Sequence, residues 1–354
     1  MALTVQIQKR YGDFRLDVDF TAEDGQALAL LGASGCGKSA TLKCVAGIDR
    51  PDRGRIELDG QVLFDSEVDI DLPPQRRRVG LLFQSYALFP NMTVERNIAV
   101  CLGRLDRRER RRRTAELLAL LRLEEQAALH PRQLSGGQRQ RAALARVLAA
   151  EPRALLLDEP FSALDSFLKW QLEQELREVL DRFPGPVLWV SHDRGEVYRN
   201  CRRVCVLEGG RSSPAAEMRE LMADPVTVSA ARLSGCRNCV PVRPGPGPGL
   251  AEVPDWGLTL RTASPWREGT AFLGIRADRV HPAEPGESNA FPCRVVRAAE
   301  DVAFMLAALR PEGVGEGAPL LYMELAKDAW AALPDHGRIL AAVRPEDLML
   351  LRDC

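Results

Sequence analysis

Short unbroken apolar runs alternate with stretches of helical spacing over roughly the first 230 residues, the pattern of parallel strands covered by helices. "GQALALLG" (25–32) is an apolar run closed by glycine, and the "KSATLKCVAGI" that follows it has apolar residues at helical intervals, which predicts strand, loop, helix. "RALLLDEP" and "GPVLWVSHD" are two more apolar runs, each ending in polar residues. Ligands of open parallel sheets bind at such carboxyl ends. Residues 86–150 are mainly helical in pattern and are expected to form a helical subdomain.

The texture changes near residue 230. "PVRPGPGPG" alternates Pro and Gly, which neither a helix nor a central strand can propagate, and short β-like runs with turn-formers follow it. A nucleotide-scale α/β domain over 1–230 and a smaller β domain over 231–354 are therefore expected. Inside the second, "GIRADRVH" (274–281) is echoed by "AVRPEDLM" (342–349), which predicts two similar strand-ending turns.

Charge narrows the classes of function. Lys plus Arg number 48 against 49 Asp plus Glu, a net charge of -1, so the electrostatic footprint of a nucleic-acid-binding protein is missing and no nucleic-acid partner is expected. Six arginines between Arg107 and Arg113 fit a solvated helix face better than a lipid or nucleic-acid contact. No run reaches the ~18 apolar residues of a membrane span, and "MALTVQIQKRYGDF" lacks the apolar core of a signal peptide, so the chain is expected in the cytosol. The nine cysteines argue for reduced thiols. Cys201, Cys205, Cys236 and Cys239 have the residue type of a zinc site, but irregular spacing in different elements favours free thiols.

Two motifs carry chemistry together. "GASGCGKS" (32–39) fits G-x-x-x-x-G-K-[ST] between a strand and a helix, where backbone N–H groups and the helix N-terminus favour phosphate. Gly32, Ser34, Gly35, Cys36, Gly37, Lys38, Ser39 and Ala40 are the candidate ATP-binding residues there, with Lys38 reaching the phosphates and the Ser39 hydroxyl on Mg²⁺. "ALLLDE" (154–159) ends in adjacent carboxylates: Asp158 to hold Mg²⁺ and Glu159 to deprotonate a water.

The remaining motifs resemble those of ATP-binding cassette (ABC) ATPases outright: "LSGGQ" (134–138), Tyr11 before the first core strand, Gln84 in "LLFQ", "SALD" (162–165) and His192 in "VSHD". The resemblance implies a P-loop ABC ATPase domain that works as a homodimer, in which Ser135, Gly136, Gly137 and Gln138 complete the ATP site of the opposite subunit. It further implies that Tyr11 stacks on adenine, Gln84 contacts Mg²⁺ or the attacking water, His192 bonds the γ-phosphate, and Asp165 supports the dimer. "RRRVGLLFQSYALFPNMTVERNIAV" (76–100) is similar to importer ATPases, whose integral membrane permease inserts a short helix into a groove that Tyr86, Leu88, Phe89 and Pro90 would line. An external solute-binding protein would act indirectly, and the chain would sit peripherally on the cytoplasmic side of the membrane.

The C-terminal segment is similar to that of molybdate importer ATPases, which implies a small all-β barrel of the MOP or TOBE (OB-type) class, clearest over 288–351. Ser288, Asn289 and Lys327 are the candidate oxyanion ligands in it, and a barrel that binds nothing and serves as a dimer contact is the alternative. The expected function is an ATPase that powers import of molybdate or a related oxyanion. Import of sulfate, ferric ion, a polyamine or a sugar is the alternative, since the N-terminal motifs suit all of them. A non-hydrolysing regulatory or anion-binding protein is opposed by intact Lys38, Asp158, Glu159 and His192.

Overall fold

The structure, a computed structural model, describes residues 1–162, 166–284 and 286–353, with the backbone alone at 166–168. It divides into two compact units, 1–218 and 219–354.

The first unit is built on one mixed sheet. Five parallel strands form its core in the order Val79–Leu82, Ala154–Asp158, Val187–Ser191, Ala27–Leu31, Arg203–Glu208. The strands Ala154–Asp158 and Val187–Ser191 are buried at every position, which is why they appear in the sequence as continuous apolar runs rather than as alternation. An antiparallel wing continues the sheet, with Ala2–Tyr11 between Phe14–Glu23 and Arg53–Leu58. In that wing Leu3, Val5 and Ile7 alternate inward, with Leu16, Val18 and Phe20 beside them.

The residues 86–150 hold three α-helices among the described residues, Val94–Ala99, Arg107–Leu120 and Gly136–Ala149. Each begins at a side-chain cap, Thr93, Asp106 and Ser135, whose oxygen accepts from an otherwise unpaired helix N–H. The arginine-rich helix keeps its charges on a solvated face, where Arg112 pairs with Glu109 and Glu116, and Arg113 with Glu151.

The second unit consists mainly of antiparallel strands around one core that contains Trp256, Ile275, Val280, Leu309, Met323 and Val343. Its five-stranded sheet runs His281–Pro282, Arg338–Ala342, Ala290–Glu300, Phe304–Pro311, Leu321–Ala326, and the two outer strands approach one another, so the sheet nearly closes into an OB-type barrel. The sequence echo is structural. The strand Thr270–Ile275 is followed by the 3-10 turn Ala277–Arg279, the strand Arg338–Ala342 by Pro345–Asp347, and the two turns meet through Arg279 and Asp347 at 3.7 Å.

The compact units divide at 218/219. The helix Val228–Leu233 packs Val228 and Ala231 on Cys236 and Leu351, and Arg276 donates to the carbonyls of Met222 and Ser234. These contacts tie residues just before the Pro/Gly tract to the second unit.

Candidate active site

The carboxyl ends of four neighbouring parallel strands converge on one cleft. The phosphate loop follows Ala27–Leu31, Gln84 follows Val79–Leu82, Glu159 follows Ala154–Asp158, and His192 follows Val187–Ser191. A cleft of about 470 Å³ is lined there by Tyr11, Ser34, Gly35, Gly37, Lys38, Ser39, Ala40, Gln84 and Glu159, with Phe14, Lys43 and Asp49 beside them.

The loop leads directly into the helix Lys38–Ala46. Gly37, the residue before it, has φ 108°, and a Cβ there would lie 2.6 Å from Leu16 Cδ1, so both backbone and space require glycine. Lys38 is almost completely buried, and its ammonium donates to the carbonyls of Gly32 and Ala33 at 2.8 Å each, which holds a positive charge at the loop. Cys36 is buried behind it, its sulfur 3.8 Å from Lys38 Nζ.

The exposed Ser39 hydroxyl donates to Asp158 Oδ1 at 2.9 Å. Burial raises the Asp158 pKa above the ordinary aspartate value, and the Ser39 hydrogen bond opposes that rise. A hydroxyl and a carboxylate side by side are hard oxygen donors of the kind Mg²⁺ takes, and Mg²⁺ sites use one or two protein oxygens with phosphates and water completing the shell. The residues present fit that ion.

Glu159 sits at φ 47°, a left-handed conformation that costs a non-glycine residue ~1–3 kcal/mol. The turn is held by the Glu159 N–H donating to Val190 O at 2.9 Å, and by Ser162 N donating to Glu159 O at 3.2 Å. Its carboxylate lies between two other predicted residues: Gln84 Nε2 donates to Oε2 at 3.3 Å, and His192 Nδ1 is 3.0 Å from Oε1. Ser162 Oγ, 3.1 Å from Gln84 Nε2, steadies the glutamine. His192 is aimed by the residue after it, since Asp193 caps the helix Arg194–Asn200 by accepting from Gly195 N and Glu196 N.

Tyr11 lines the same cleft, half-buried, with its hydroxyl donating to Asp49 at 2.9 Å. Burial and that carboxylate raise its pKa far above the ordinary tyrosine value, so the ring stays neutral. The signature lies elsewhere: Ser135 is the exposed N-cap of Gly136–Ala149, its hydroxyl accepting from Gln138 N while Gln138 Oε1 accepts from Ser135 N. None of Ser135, Gly136, Gly137 or Gln138 lines the phosphate-loop cleft of the same chain. Asp165 lies outside the described residues.

Two groups of predicted residues behave differently from expectation. Tyr86 turns inward and is 7% exposed, whereas Leu88 is half-buried and Phe89 and Pro90 are exposed, so the expected groove keeps only its outer members. In the second unit Asn289 spends its amide on the Arg261 and Val343 backbone, while Lys327 pairs with Glu300 at 2.7 Å. Ser288 and Asn289 precede the strand Ala290–Glu300 and Lys327 meets its last residue. At about 3.3 Å per residue, on the order of 30 Å of strand runs between them, so Lys327 meets the opposite end of that strand from Ser288 and Asn289.

Sequence reasoning missed Lys43, Asp49 and Ser162. Lys43 was within reach, because it stands one helical turn after Ser39 and so shares its face.

The residues 16–162 match the ABC transporter family. The chain is 44% identical over 223 residues to the molybdate/tungstate import ATP-binding protein WtpC of Archaeoglobus fulgidus, covering 63% of this chain and 90% of that protein. This chain belongs to the ABC transporter family. It is also 41% identical over 223 residues to the molybdenum import ATP-binding protein ModC of Paramagnetospirillum magneticum, and there the match takes in 63% of this chain but spans only 61% of the relative. The putrescine transport ATP-binding protein PotG of Escherichia coli is 43% identical over 225 residues, covering 63% of this chain and 58% of that protein. Among solved structures, the dimeric post-hydrolysis state of the ATP-binding cassette MJ0796 bound to ADP and Pi is 30% identical, with TM-score 0.52 over 62% of this chain and 99% of that chain. No helix among the described residues of this ABC chain is long and apolar enough to cross a membrane.

Proposed function

We propose that this chain is the ATP-hydrolysing subunit of an ABC importer, acting as a homodimer on an integral membrane permease, with molybdate or a related oxyanion as the solute. The observation that carries the ATPase is the convergence of Gln84, Glu159 and His192 beside the phosphate loop.

In this reading Tyr11 stacks on the adenine, while Lys38 and the backbone N–H groups at the start of Lys38–Ala46 hold the phosphates. Ser39 and Asp158 would hold Mg²⁺, which supplies charge neutralisation at the phosphates. Glu159 accepts a proton from the attacking water, Gln84 orients that water, and His192 hydrogen-bonds the γ-phosphate. Ser135, Gly136, Gly137 and Gln138 complete the site of the other subunit, since a helix N-terminus with free N–H groups suits phosphate. Asp165 supports that dimer. The first unit is the ATPase domain, with a helical subdomain at 86–150, and the second is a regulatory β domain. Leu88, Phe89 and Pro90 meet the permease, an external solute-binding protein delivers the solute, and the subunit sits peripherally on the cytoplasmic face.

The oxyanion is favoured by the likeness to molybdenum and molybdate/tungstate import proteins. A second reading, import of a polyamine, sulfate or ferric ion, is favoured by likenesses of similar strength to PotG, a probable sulfate/thiosulfate importer ATPase and a ferric ion importer ATPase. The test is phosphate release by the purified chain and by Glu159→Gln: the substitution should lower turnover ~10²–10⁴-fold. Unaltered turnover would refute the base assignment. Reconstitution with the permease, comparing molybdate- and putrescine-loaded binding proteins, separates the two solutes.

A further inference from the structure

In the second unit, the "CRNC" turn places two thiols side by side. Cys236 Sγ and Cys239 Sγ are 3.6 Å apart. Cys236 is 4% exposed and Cys239 half-buried, so Cys239 is the more accessible residue of the two. The turn between them is rigid. Asn238, 2% exposed, donates its amide to the carbonyls of Ile275 and Tyr322 and accepts from Tyr322 N, while the Cys236 thiol faces the carbonyls of Asn238 and Ile275 at 3.3 Å each. A disulfide has an S–S length of about 2.05 Å, so closing this contact takes roughly 1.5 Å of sulfur movement, within the reach of small side-chain rotations.

We propose that Cys236 and Cys239 are an oxidisable dithiol, a modification site whose co-substrate is hydrogen peroxide. Cys239 is the attacking sulfur. It strikes one peroxide oxygen, the O–O bond breaks, and Cys239 becomes a sulfenic acid as water leaves. The Cys236 sulfur then attacks Cys239, the S–S bond forms, the S–O bond breaks and a second water leaves, so the two electrons the thiols give up reduce the peroxide. The electrostatics agree with that order. The hydrogen bond with Cys236 and the positive charge of Arg232 hold the Cys239 pKa below the ordinary thiol value, whereas that same contact and burial raise the pKa of Cys236. The disulfide would fasten the end of the helix Val228–Leu233 to the strand Asn238–Pro241, the point where the first residues of this unit join its sheet.

The sequence supplies a direct readout. Trypsin cuts after Arg232 and Arg237 but not at the Arg243–Pro244 bond, so the two cysteines fall on separate peptides, 233–237 and 238–261. The full chain is treated with hydrogen peroxide, alkylated and digested without reductant. The two peptides should then appear as one species, lighter than their sum by one hydrogen molecule, and separate on reduction. Cys236→Ser should instead leave Cys239 as a sulfenic acid that a dimedone-type probe captures. The proposal is overturned if the peptides stay separate while Cys239 is oxidised to sulfinic acid in the unaltered chain, or if Cys239 is captured as disulfide with another cysteine. Resistance of both thiols to peroxide that oxidises the exposed Cys101 would overturn it equally. The outcome is independent of whether the first unit hydrolyses ATP.

Discussion

His192 Nδ1 lies 3.0 Å from Glu159 Oε1, so the imidazole and the carboxylate share one approach to the cleft. An imidazole there is placed to meet a γ-phosphate and, through its contact, to fix the carboxylate's orientation. His192→Ala should therefore lower phosphate release ~10²–10³-fold, the size of effect seen when one positioned donor is removed, with little change in nucleotide affinity. Steady-state assays separate kcat from KM, and a loss confined to KM would contradict the placement.

Lys38→Ala should abolish nucleotide binding while the fold persists. Its ammonium is a buried positive charge held by two backbone carbonyls beside a thiol, so its removal takes the positive charge out of the loop itself. Titration with a fluorescent ATP analogue checks the loss, and circular dichroism checks the fold. Binding within twofold of the unaltered chain would remove Lys38 from the site.

The separation of Ser135 from the cleft of its own chain leads to a sharper test of the dimer. In a Glu159→Gln background, ATP should drive dimerisation, since the nucleotide is held and not consumed. Adding Ser135→Arg should leave ATP binding by each chain intact and prevent the dimer, because a bulky cation would occupy the position at the helix N-terminus meant for the partner's phosphate. Light scattering with and without ATP reads the result. An ATP-dependent dimer that survives Ser135→Arg would refute the composite site.

Much of this site could be read in the sequence because its elements punctuate strand ends. "GASGCGKS", "DE" and "SHD" each follow a continuous apolar run, and buried parallel strands give such runs whatever else surrounds them. What could not be read depends on contacts far apart in sequence. Asp49 enters the cleft through the Tyr11 hydroxyl, 38 residues away, and Ser162 enters through Gln84, 78 residues away. The likeness to importer ATPases implies that Tyr86 lines a groove, yet with φ 62° at Tyr86 and 45° at Ala87 the backbone turns here and the residue is 7% exposed. The change of texture near 230 follows from composition, whereas the contacts that Val228, Ala231 and Arg276 make within the second unit do not show in it.

Arg146 holds that same turned segment. Its guanidinium donates to Ala87 O at 2.6 Å and to Tyr86 O at 3.3 Å, and lies 5.2 Å from the centre of the Phe89 ring. Two left-handed non-glycine residues cost ~1–3 kcal/mol each, so the arginine offsets strain between Gln84 and the exposed Phe89. Arg146→Ala should relax the segment, leaving basal phosphate release within a few-fold but removing its stimulation by permease and loaded binding protein. Comparison of stimulated and basal rates in proteoliposomes checks it, and Arg146→Lys, which keeps charge but loses the two-pronged grip, should fall between.

Arg77 yields the clearest prediction for stability. It is 0% exposed and donates to Leu72 O at 2.7 Å, Cys44 O at 2.8 Å, Val45 O at 3.0 Å and the Asp71 carboxylate at 2.7 Å. Cys44 and Val45 stand in the last turn of Lys38–Ala46, so this guanidinium supplies the Val45 carbonyl with a donor, adds a second to the Cys44 carbonyl that Gly47 N already reaches, and places a positive charge at the helix's negative end. Gly47 makes room for it, since a Cβ there would lie 2.5 Å from Arg77 Nε. Arg77→Met keeps the bulk and strands the Leu72 and Val45 carbonyls, and each buried unpaired group costs about 1–3 kcal/mol. A loss of roughly 2 kcal/mol or more in urea unfolding is expected, together with weaker nucleotide binding as the far end of the phosphate-loop helix frays. Gly47→Ala should approach the same loss by displacing the guanidinium instead of deleting it, and its φ of 79° adds strain of its own. If Arg77→Met unfolded at the unaltered urea midpoint, the carbonyls would have found other partners and the arginine would not be what closes this helix.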